Sequence, residues 1–328
     1  MMKDTLIQEL TTLSKHEFQN RNVFKARAYN KVIRALAEHT GDIETIEDIE
    51  GIPGIGTSIH AKIVEILATG KLAEATEIRE SGDSETLDAL LNIYGVGPAK
   101  AAALVSEGIT SMADIRQHPE KLNEKQLIGL RHYDDFLERI PREEMKKHER
   151  YIKRVVSEAA AASGGTATKP ITTVVGSYRR GAVDSGDIDV LLAFPGKTPK
   201  ECEDLFAGVI AKLRGKKYIT DVLAEGQHKC LAVCKLVKMT TGKYRRLDLL
   251  LTPMNEYPYA LLYFTGSQKF NIECRVKARE KGYSLSEHGL KRIHDDGDAV
   301  VADAPDNLNT EAMVLKFLGI KNVPPIRR

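Results

Sequence analysis

Gly176-Ser177-Tyr178-Arg179-Arg180-Gly181-Ala182-Val183-Asp184-Ser185-Gly186-Asp187-Ile188-Asp189 is the stretch on which the reading of this chain turns. It runs into the apolar residues Val190, Leu191 and Leu192, so its end reads as the start of a buried strand. Side chains alternate across a strand, and Asp187 and Asp189 therefore point to one face. Two carboxylates side by side repel each other and persist mainly where cations neutralise them. Hard oxygen donors in that arrangement suit magnesium. The preceding Gly-Ser turn and Arg179-Arg180 supply backbone N–H groups, a hydroxyl and guanidinium forks, a combination that suits a polyphosphate.

A chain of 328 residues is long enough for two or more units with separate cores. No run of eighteen apolar residues is present, so no membrane span or membrane partner is expected. The start, Met1-Met2-Lys3-Asp4-Thr5, lacks the apolar stretch of a secretory signal. Cys202, Cys230, Cys234 and Cys274 form no C-x-x-C pair, which argues against a structural zinc site and reads as reduced thiols in an intracellular protein. The net charge of +2 hides an asymmetry. Residues 142–254 hold 21 Lys/Arg against 13 Asp/Glu, whereas residues 1–77 hold 9 against 12 and residues 78–141 hold 7 against 11. The positive field thus surrounds the Asp-x-Asp stretch, as expected where a polyanion approaches.

The first 140 residues read as helices joined by short loops, with apolar positions three and four apart at Ile59, Ile63, Ile66 and Leu67. Further on, strands are expected at Ile171–Val175, Ile188–Ala193, Cys230–Val237 and Leu247–Leu251, with a helix near Pro199–Leu213. Ser163-Gly164-Gly165-Thr166 reads as a surface turn, and Ser267 as the N-cap of a helix that stops at Gly282. Within the helical part, Ile52-Pro53-Gly54-Ile55-Gly56 is echoed by Tyr94-Gly95-Val96-Gly97-Pro98, each ahead of an amphipathic helix. The pattern is that of a helix-hairpin-helix turn. Its glycines allow a tight turn, and its N–H groups face a phosphate at a helix N-terminus. Two copies with matched flanks favour a sequence-independent grip on a nucleic-acid backbone.

These features together resemble the family X DNA polymerases, most of all their beta-type members, from about Leu6 to about Gly289. The likeness rests on the stretch 176–189, on Arg139-Ile140-Pro141-Arg142-Glu143-Glu144-Met145 and on Tyr263-Phe264-Thr265-Gly266-Ser267. It implies a multidomain fold. An all-α lyase-like domain with the first hairpin (1–77) and a helical DNA-binding subdomain with the second (78–141) come first. An α+β nucleotidyltransferase palm (142–254) and a small α+β C-terminal subdomain that binds the nascent base pair (255–328) follow.

The resemblance also assigns residues. It requires a third metal carboxylate on a neighbouring strand, and Tyr244-Arg245-Arg246-Leu247-Asp248-Leu249 supplies Asp248, a lone charge in an apolar strand. Asp187, Asp189 and Asp248 would hold two Mg²⁺ ions. Arg139, Ser177, Arg180, Ser185 and Gly186 would grip the triphosphate. Tyr263, Phe264 and Gly266 would flank the sugar, Asn271 would face the incoming nucleotide, and Arg246 and Arg275 would contact DNA. Arg279 reads as part of a solvated face. Gly54, Gly56, Gly95 and Gly97 would lie on the DNA backbone. The carbonyls of Ile52, Ile55, Ile93 and Val96 would offer a site for Na⁺ or K⁺.

A second activity is implied for the N-terminal domain, a 5′-deoxyribose-phosphate lyase with Lys62 as Schiff-base nucleophile and Lys25 and Tyr29 in the 5′-phosphate pocket. Lys62 lies at the edge of the Ile59–Ile63–Ile66 stripe, where partial burial would favour the uncharged amine. The chain departs from the beta-type pattern with Phe24, Glu50 and Ser58 at cationic positions of that pocket, so a weakened grip on the phosphate is expected. It departs again at Leu250, where those relatives carry an arginine that could hold a metal-binding aspartate; without it, the empty site is expected to be less occluded, its carboxylates repelling one another, free to take up metal, and at least one of them raised in pKa.

The expected function is template-directed filling of short gaps in DNA repair, of the base-excision type, on gapped or nicked DNA with deoxynucleoside triphosphates, by a monomer. Nuclear residence follows from the resemblance alone. No BRCT-like segment precedes the lyase-like domain, so recruitment by that module is not expected. A template-independent nucleotidyltransferase and a binding-only DNA clamp are the alternatives.

Overall fold

The computed structural model describes residues 2–19, 22–39, 41–80, 83–162, 169–236, 242–293 and 308–328, and these form two compact units that divide between Tyr133 and Asp134. In the first unit, apolar residues at helical spacing give α1 (Met2–Gln19), α2 (Val23–Glu38), α3 (Thr57–Thr69), α4 (Ala73–Glu80), α5 (Asp83–Leu91), α6 (Pro98–Ser106), α7 (Met112–Gln117) and α8 (Glu124–Arg131). Ile59, Ile63 and Ile66 of α3 are buried in one cluster with Leu6 and Leu10 of α1 and Val32 and Leu36 of α2. Leu67 packs on its border. A second cluster gathers Leu87, Leu90, Leu104, Ile115 and Leu130 from the following helices. The capping box of Asn123 and Gln126 fixes the start of α8.

A short helix, α9 (Tyr133–Leu137), leads into the second unit. Its elements are β1 (Ile140–Pro141), α10 (Arg142–Ala162), β2 (Ile171–Val174), α11 (Gly176–Arg179), β3 (Asp184–Ser185), β4 (Ile188–Ala193), α12 (Pro199–Gly215), β5 (Ile219–Glu225), β6 (Lys229–Cys234) and β7 (Arg245–Leu251). After them come α13 (Tyr257–Thr265), α14 (Gln268–Glu280), β8 (Tyr283–Ser286), β9 (Gly289–Arg292) and α15 (Glu311–Phe317). The main sheet has the order β2-β4-β7-β6-β5; only β4 and β7 run parallel.

The two-residue period of the strands divides the sheet into two chemically different faces. Ile188, Val190 and Leu192 of β4 and Leu247, Leu249 and Leu251 of β7 share a core with Val155 and Val156 of α10 and Phe206 and Val209 of α12. The alternate residues of the same strands, Asp189, Leu191, Arg246, Asp248 and Leu250, belong to the other face. There Leu191 and Leu250 pack with Val175 and with Ala260 of α13. A separate core of Tyr259, Leu262, Phe270, Cys274, Leu290, Val314 and Leu315 holds α13, α14, the β8–β9 hairpin and α15 together.

Ser267 caps α14 by accepting the Phe270 N–H, and Gly282 follows the helix with a φ of 80°. Four expectations differ in detail. The strand expected to reach Val237 ends at Cys234, and Val237 lies outside the described residues, as does the turn at Ser163–Thr166. β1, β3, β5, β8 and β9 are additional to the strands read from sequence. The boundary expected after residue 77 falls inside α4, where Ile78 still packs on the first cluster. The boundary expected after 141 would cut off β1, whose Ile140 pairs with Ser185 and is buried in the core of the second unit. Among the described residues no helix is long and apolar enough to cross a membrane.

Candidate active site

Parallel pairing of β4 with β7 places Asp189 directly opposite Asp248, and Asp187 lies just ahead of β4. Burial pushes the Asp189 carboxyl up to about 7, and the neighbouring charges of Asp187 and Asp248 push the same way. Asp248 is likewise raised, by burial and by Asp187. Two half-buried carboxylates that resist ionisation beside a third are the donor chemistry of a hard-cation site. Among the described residues, no three His, Cys, Asp or Glu side chains are gathered closely enough to enclose an ion as they stand. One reason is visible: Asp187 Oδ2 accepts a hydrogen bond from Arg246 Nη2 at 2.5 Å.

That pair bears on two expectations. Arg246, expected on DNA, is held by Asp187. Nor does Leu250 leave the cluster without a cation, because Arg246, two residues before Asp248 on the same face, takes that place. Leu250 is buried and packs against Leu191 and Ala260. Lys229, which the sequence reading missed, also acts on the cluster; its charge opposes the rise at both Asp189 and Asp248. Only the register of β6 on β7, which pairs Lys229 with Leu250, reveals it.

The Gly-Ser turn lies against these carboxylates. Gly176 has a φ of 60°, and a Cβ built on it would stand 2.5 Å from Asp189 Oδ2. Only glycine allows so close a passage. Ser177 Oγ donates to Ser185 Oγ at 3.0 Å, and the Val175 N–H donates to the Asp189 carbonyl at 2.9 Å. Gly186 borders Arg139, whose guanidinium Nη1 would lie 3.2 Å from a Cβ there. The Arg139 guanidinium itself donates to Asp184 Oδ1, through Nε at 2.9 Å and Nη2 at 2.8 Å. Arg180 Nη1 donates to the Thr265 carbonyl at 2.6 Å, which brings the turn at Gly266 beside the Gly176 turn. Arg179 reaches Thr265 Oγ1 and pairs with Glu311, itself paired with Arg328.

Asn271 Nδ2 donates to the Tyr263 carbonyl at 2.8 Å, and the Arg275 guanidinium lies 5.3 Å from the centre of the Tyr263 ring. Tyr263 and Phe264 meet edge to face. Arg279 is exposed.

In the first unit the two hairpins adopt one conformation. Gly54 and Gly95 have φ values of 99° and 85°. Gly56 (φ −90°, ψ 172°) and Gly97 (φ −94°, ψ 171°) are the N-caps of α3 and α6. Neither glycine cap has a side chain to bond the first-turn N–H groups, which leaves those of α3, and of α6 after Pro98, open to an anion. The Ile93 carbonyl accepts the Val96 N–H at 3.0 Å, while Ile52 and Ile55 pack on the border of the first core.

Lys62 is half-buried as expected, but its amine is not left in apolar surroundings: it forms an ion pair with Glu74 of α4. Lys25 Nζ donates to Glu17 Oε1 at 3.2 Å, and Tyr29 is buried. Phe24, in the first turn of α2, is 88% exposed, and Glu50 and Ser58 are also exposed.

Carboxylates on a parallel strand pair with a glycine-serine turn packed on them form the frame of a nucleotidyltransferase palm. Residues 139–254 match the family model described as DNA polymerase beta palm, and residues 260–328 match DNA polymerase beta thumb. Residues 88–137 match the fingers domain of DNA polymerase lambda, and residues 1–72 a helix-hairpin-helix domain. DNA polymerase lambda of Rattus norvegicus is 34% identical over 331 aligned positions, which cover 98% of this chain and 56% of that protein. DNA polymerase lambda of Arabidopsis thaliana is 29% identical over 315 positions, covering 92% and 57%. The chain therefore belongs to the family X DNA polymerases. It spans about half the length of these relatives.

Proposed function

We propose that the chain is a template-directed DNA polymerase that fills short gaps during repair, with a 5′-deoxyribose-phosphate lyase in its first unit. The observation that carries the polymerase reading is the register of Asp189 on Asp248, with Gly176 packed against Asp189. It puts a phosphate-binding turn beside a carboxylate cluster whose ionisation is suppressed. Asp187, Asp189 and Asp248 would hold divalent cations, with Mg²⁺ favoured by the all-oxygen donor set. Bound there, such ions make a primer 3′-hydroxyl more acidic and neutralise charge on the leaving pyrophosphate.

The chain's own groups do the positioning. Ser177, Ser185 and the Gly186 backbone take the triphosphate oxygens. Arg180 and Arg139 supply guanidinium charge, Arg139 after release from Asp184. Tyr263, Phe264 and Gly266 hold the sugar, Asn271 the incoming base and Arg275 the template strand. Arg246 holds Asp187 until cations arrive, and is then free to meet the primer backbone. The bare N-termini of α3 and α6 take DNA phosphates, with Na⁺ or K⁺ shared by the carbonyls of Ile52, Ile55, Ile93 and Val96. Residence with the genome, in the nucleus of a nucleated cell, and action as a monomer complete the reading.

Primer extension across a one-nucleotide gap, with and without the template base, tests it. Addition should follow the template. Asp248→Ala should lower turnover by a factor on the order of 10² to 10³ while DNA binding survives. Equal extension without a template would make the chain a template-independent transferase. Binding without extension would make it a clamp, and near-normal synthesis by Asp248→Ala would remove that residue from the site.

A further inference from the structure

α3 closes at Gly70, whose φ of 74° is the left-handed conformation that ends a helix. The chain then doubles back, and two carboxylates fix where α4 begins. Glu65 Oε1 accepts the Ala73 N–H at 2.7 Å, and Glu9 Oε2 accepts the Leu72 N–H at 3.2 Å. Leu72 and Ala75 are buried in the core on either side of this turn. Glu74, between them, has little freedom in its backbone, and its side chain meets the Lys62 amine. The amine side chain is only 19% exposed, whereas the carboxylate is 45% exposed and open to a ligand. Tyr29 belongs to the same cluster: its phenol is pushed up by burial, then by the charges of Glu74 and Glu17.

We propose that Glu74 is the general base and acid of Lys62 chemistry on an aldehyde-bearing, phosphorylated sugar. The proposal rests on the lyase reading of the first unit. Glu74 takes the ammonium proton, and the free amine attacks C1′ of the ring-opened sugar to give a carbinolamine. The protonated Glu74 returns its proton to the departing hydroxyl, water leaves, and a protonated imine remains. The carboxylate then removes the C2′ proton. The electron pair of that bond forms the new carbon–carbon double bond as the C3′–O bond breaks, and the 3′-phosphate leaves with the bonding electrons. Water hydrolyses the imine and frees Lys62. No oxidant or reductant is needed. A carboxylate touching the amine is within reach of the carbon next to the imine it forms, which geometry asks of such a base.

Single-turnover reactions of the full chain on a duplex with an incised abasic site test the assignment, with borohydride-trapped adduct and eliminated strand measured separately. Circular dichroism checks the fold of each variant. Lys62→Ala should lose the adduct. Glu74→Gln should still form it, though more slowly, and eliminate more slowly still, by a factor on the order of 10² to 10⁴, with adduct accumulating first. Elimination by Glu74→Gln at the wild-type rate or faster, while Lys62→Ala loses trapping, would leave Glu74 as a charge clamp and overturn the proposal alone. Undiminished trapping by Lys62→Ala, or none by the wild type, would overturn the lyase reading and this proposal together.

Discussion

Replacing Asp189 by Asn should make the metal-free protein more stable, and increasingly so as pH rises. Asn reproduces the shape of the protonated acid without its charge. In the folded protein the Asp189 carboxyl is pushed from an ordinary 3.8 to about 7, first by burial and then by Asp187 and Asp248. A folded-state pKa above the unfolded one means that the folded protein holds more protons between about pH 4 and pH 7. Stability from this group is therefore fully present below pH 4 and is lost as pH rises through 7. At ~1.4 kcal/mol per decade, the shift sets a ceiling of about 4 kcal/mol. Water reaching a side chain that is not fully enclosed brings the expectation to roughly 2–4 kcal/mol. Urea unfolding of the second unit in a chelator, at pH 5 and pH 8, measures this for wild type and Asp189→Asn. The two should nearly coincide near pH 4, draw apart between pH 4 and pH 7 and stay apart by a constant amount above it. Adding Mg²⁺ should stabilise the wild type, by about 1.4 kcal/mol for each tenfold excess over Kd, and leave the variant behind. A difference that is absent, or that shrinks with pH, would refute the account of a cluster held under charge repulsion.

Gly176→Ala should cost ~1–3 kcal/mol from its positive φ and abolish most gap filling, because the new methyl must displace Asp189; unaltered thermal unfolding and synthesis would contradict that packing. Tyr218→Phe removes the 2.6 Å bond to buried His148 Nδ1 and should cost about 1–3 kcal/mol by urea unfolding. Burial pushes His148 down, so wild-type stability should fall as pH drops below about 6.5, and His148→Gln should flatten that slope. Glu50→Lys with Ser58→Lys should tighten binding to 5′-phosphorylated gaps and steepen the salt dependence by roughly one unit per added contact. A wild type that already prefers the phosphorylated gap strongly would argue against a weakened pocket.

Patterns that report burial were legible in the sequence. The period of two in β4 and β7 and the apolar spacing of α3 locate their elements because each buries one face against a core. The hairpin glycines were legible too, since a positive φ leaves few alternatives to glycine. Short or edge elements were not. β1 and β3 are two residues each and exist only because they pair with each other, a contact across more than forty positions that no local pattern records. β5 reads weakly because its pairing with β6 is interrupted by register shifts. Partners of charged groups were also hidden. Glu74 follows Lys62 by twelve residues on a different helix, and only the left-handed close at Gly70 brings them together.

The carboxylate cluster shows why a charge is harder to read than a strand. An arginine two residues after Asp248 would share its face, and Leu250 removes that possibility. Strand alternation is symmetric, however: position 246 shares the face equally, and β7 runs parallel to β4, so Arg246 points back toward the end where Asp187 lies. A buried or half-buried carboxylate group needs a cation near it, but the fold does not prescribe which neighbour supplies it. In this chain the requirement is met on one side by Arg246 and from β6 by Lys229, which frees Leu250 to join Leu191 and Ala260 in packing α13 against the sheet. Leu250 therefore adds to the packing under the helix that carries Tyr263 and Phe264, while the charge the carboxylates face comes from Arg246 and Lys229.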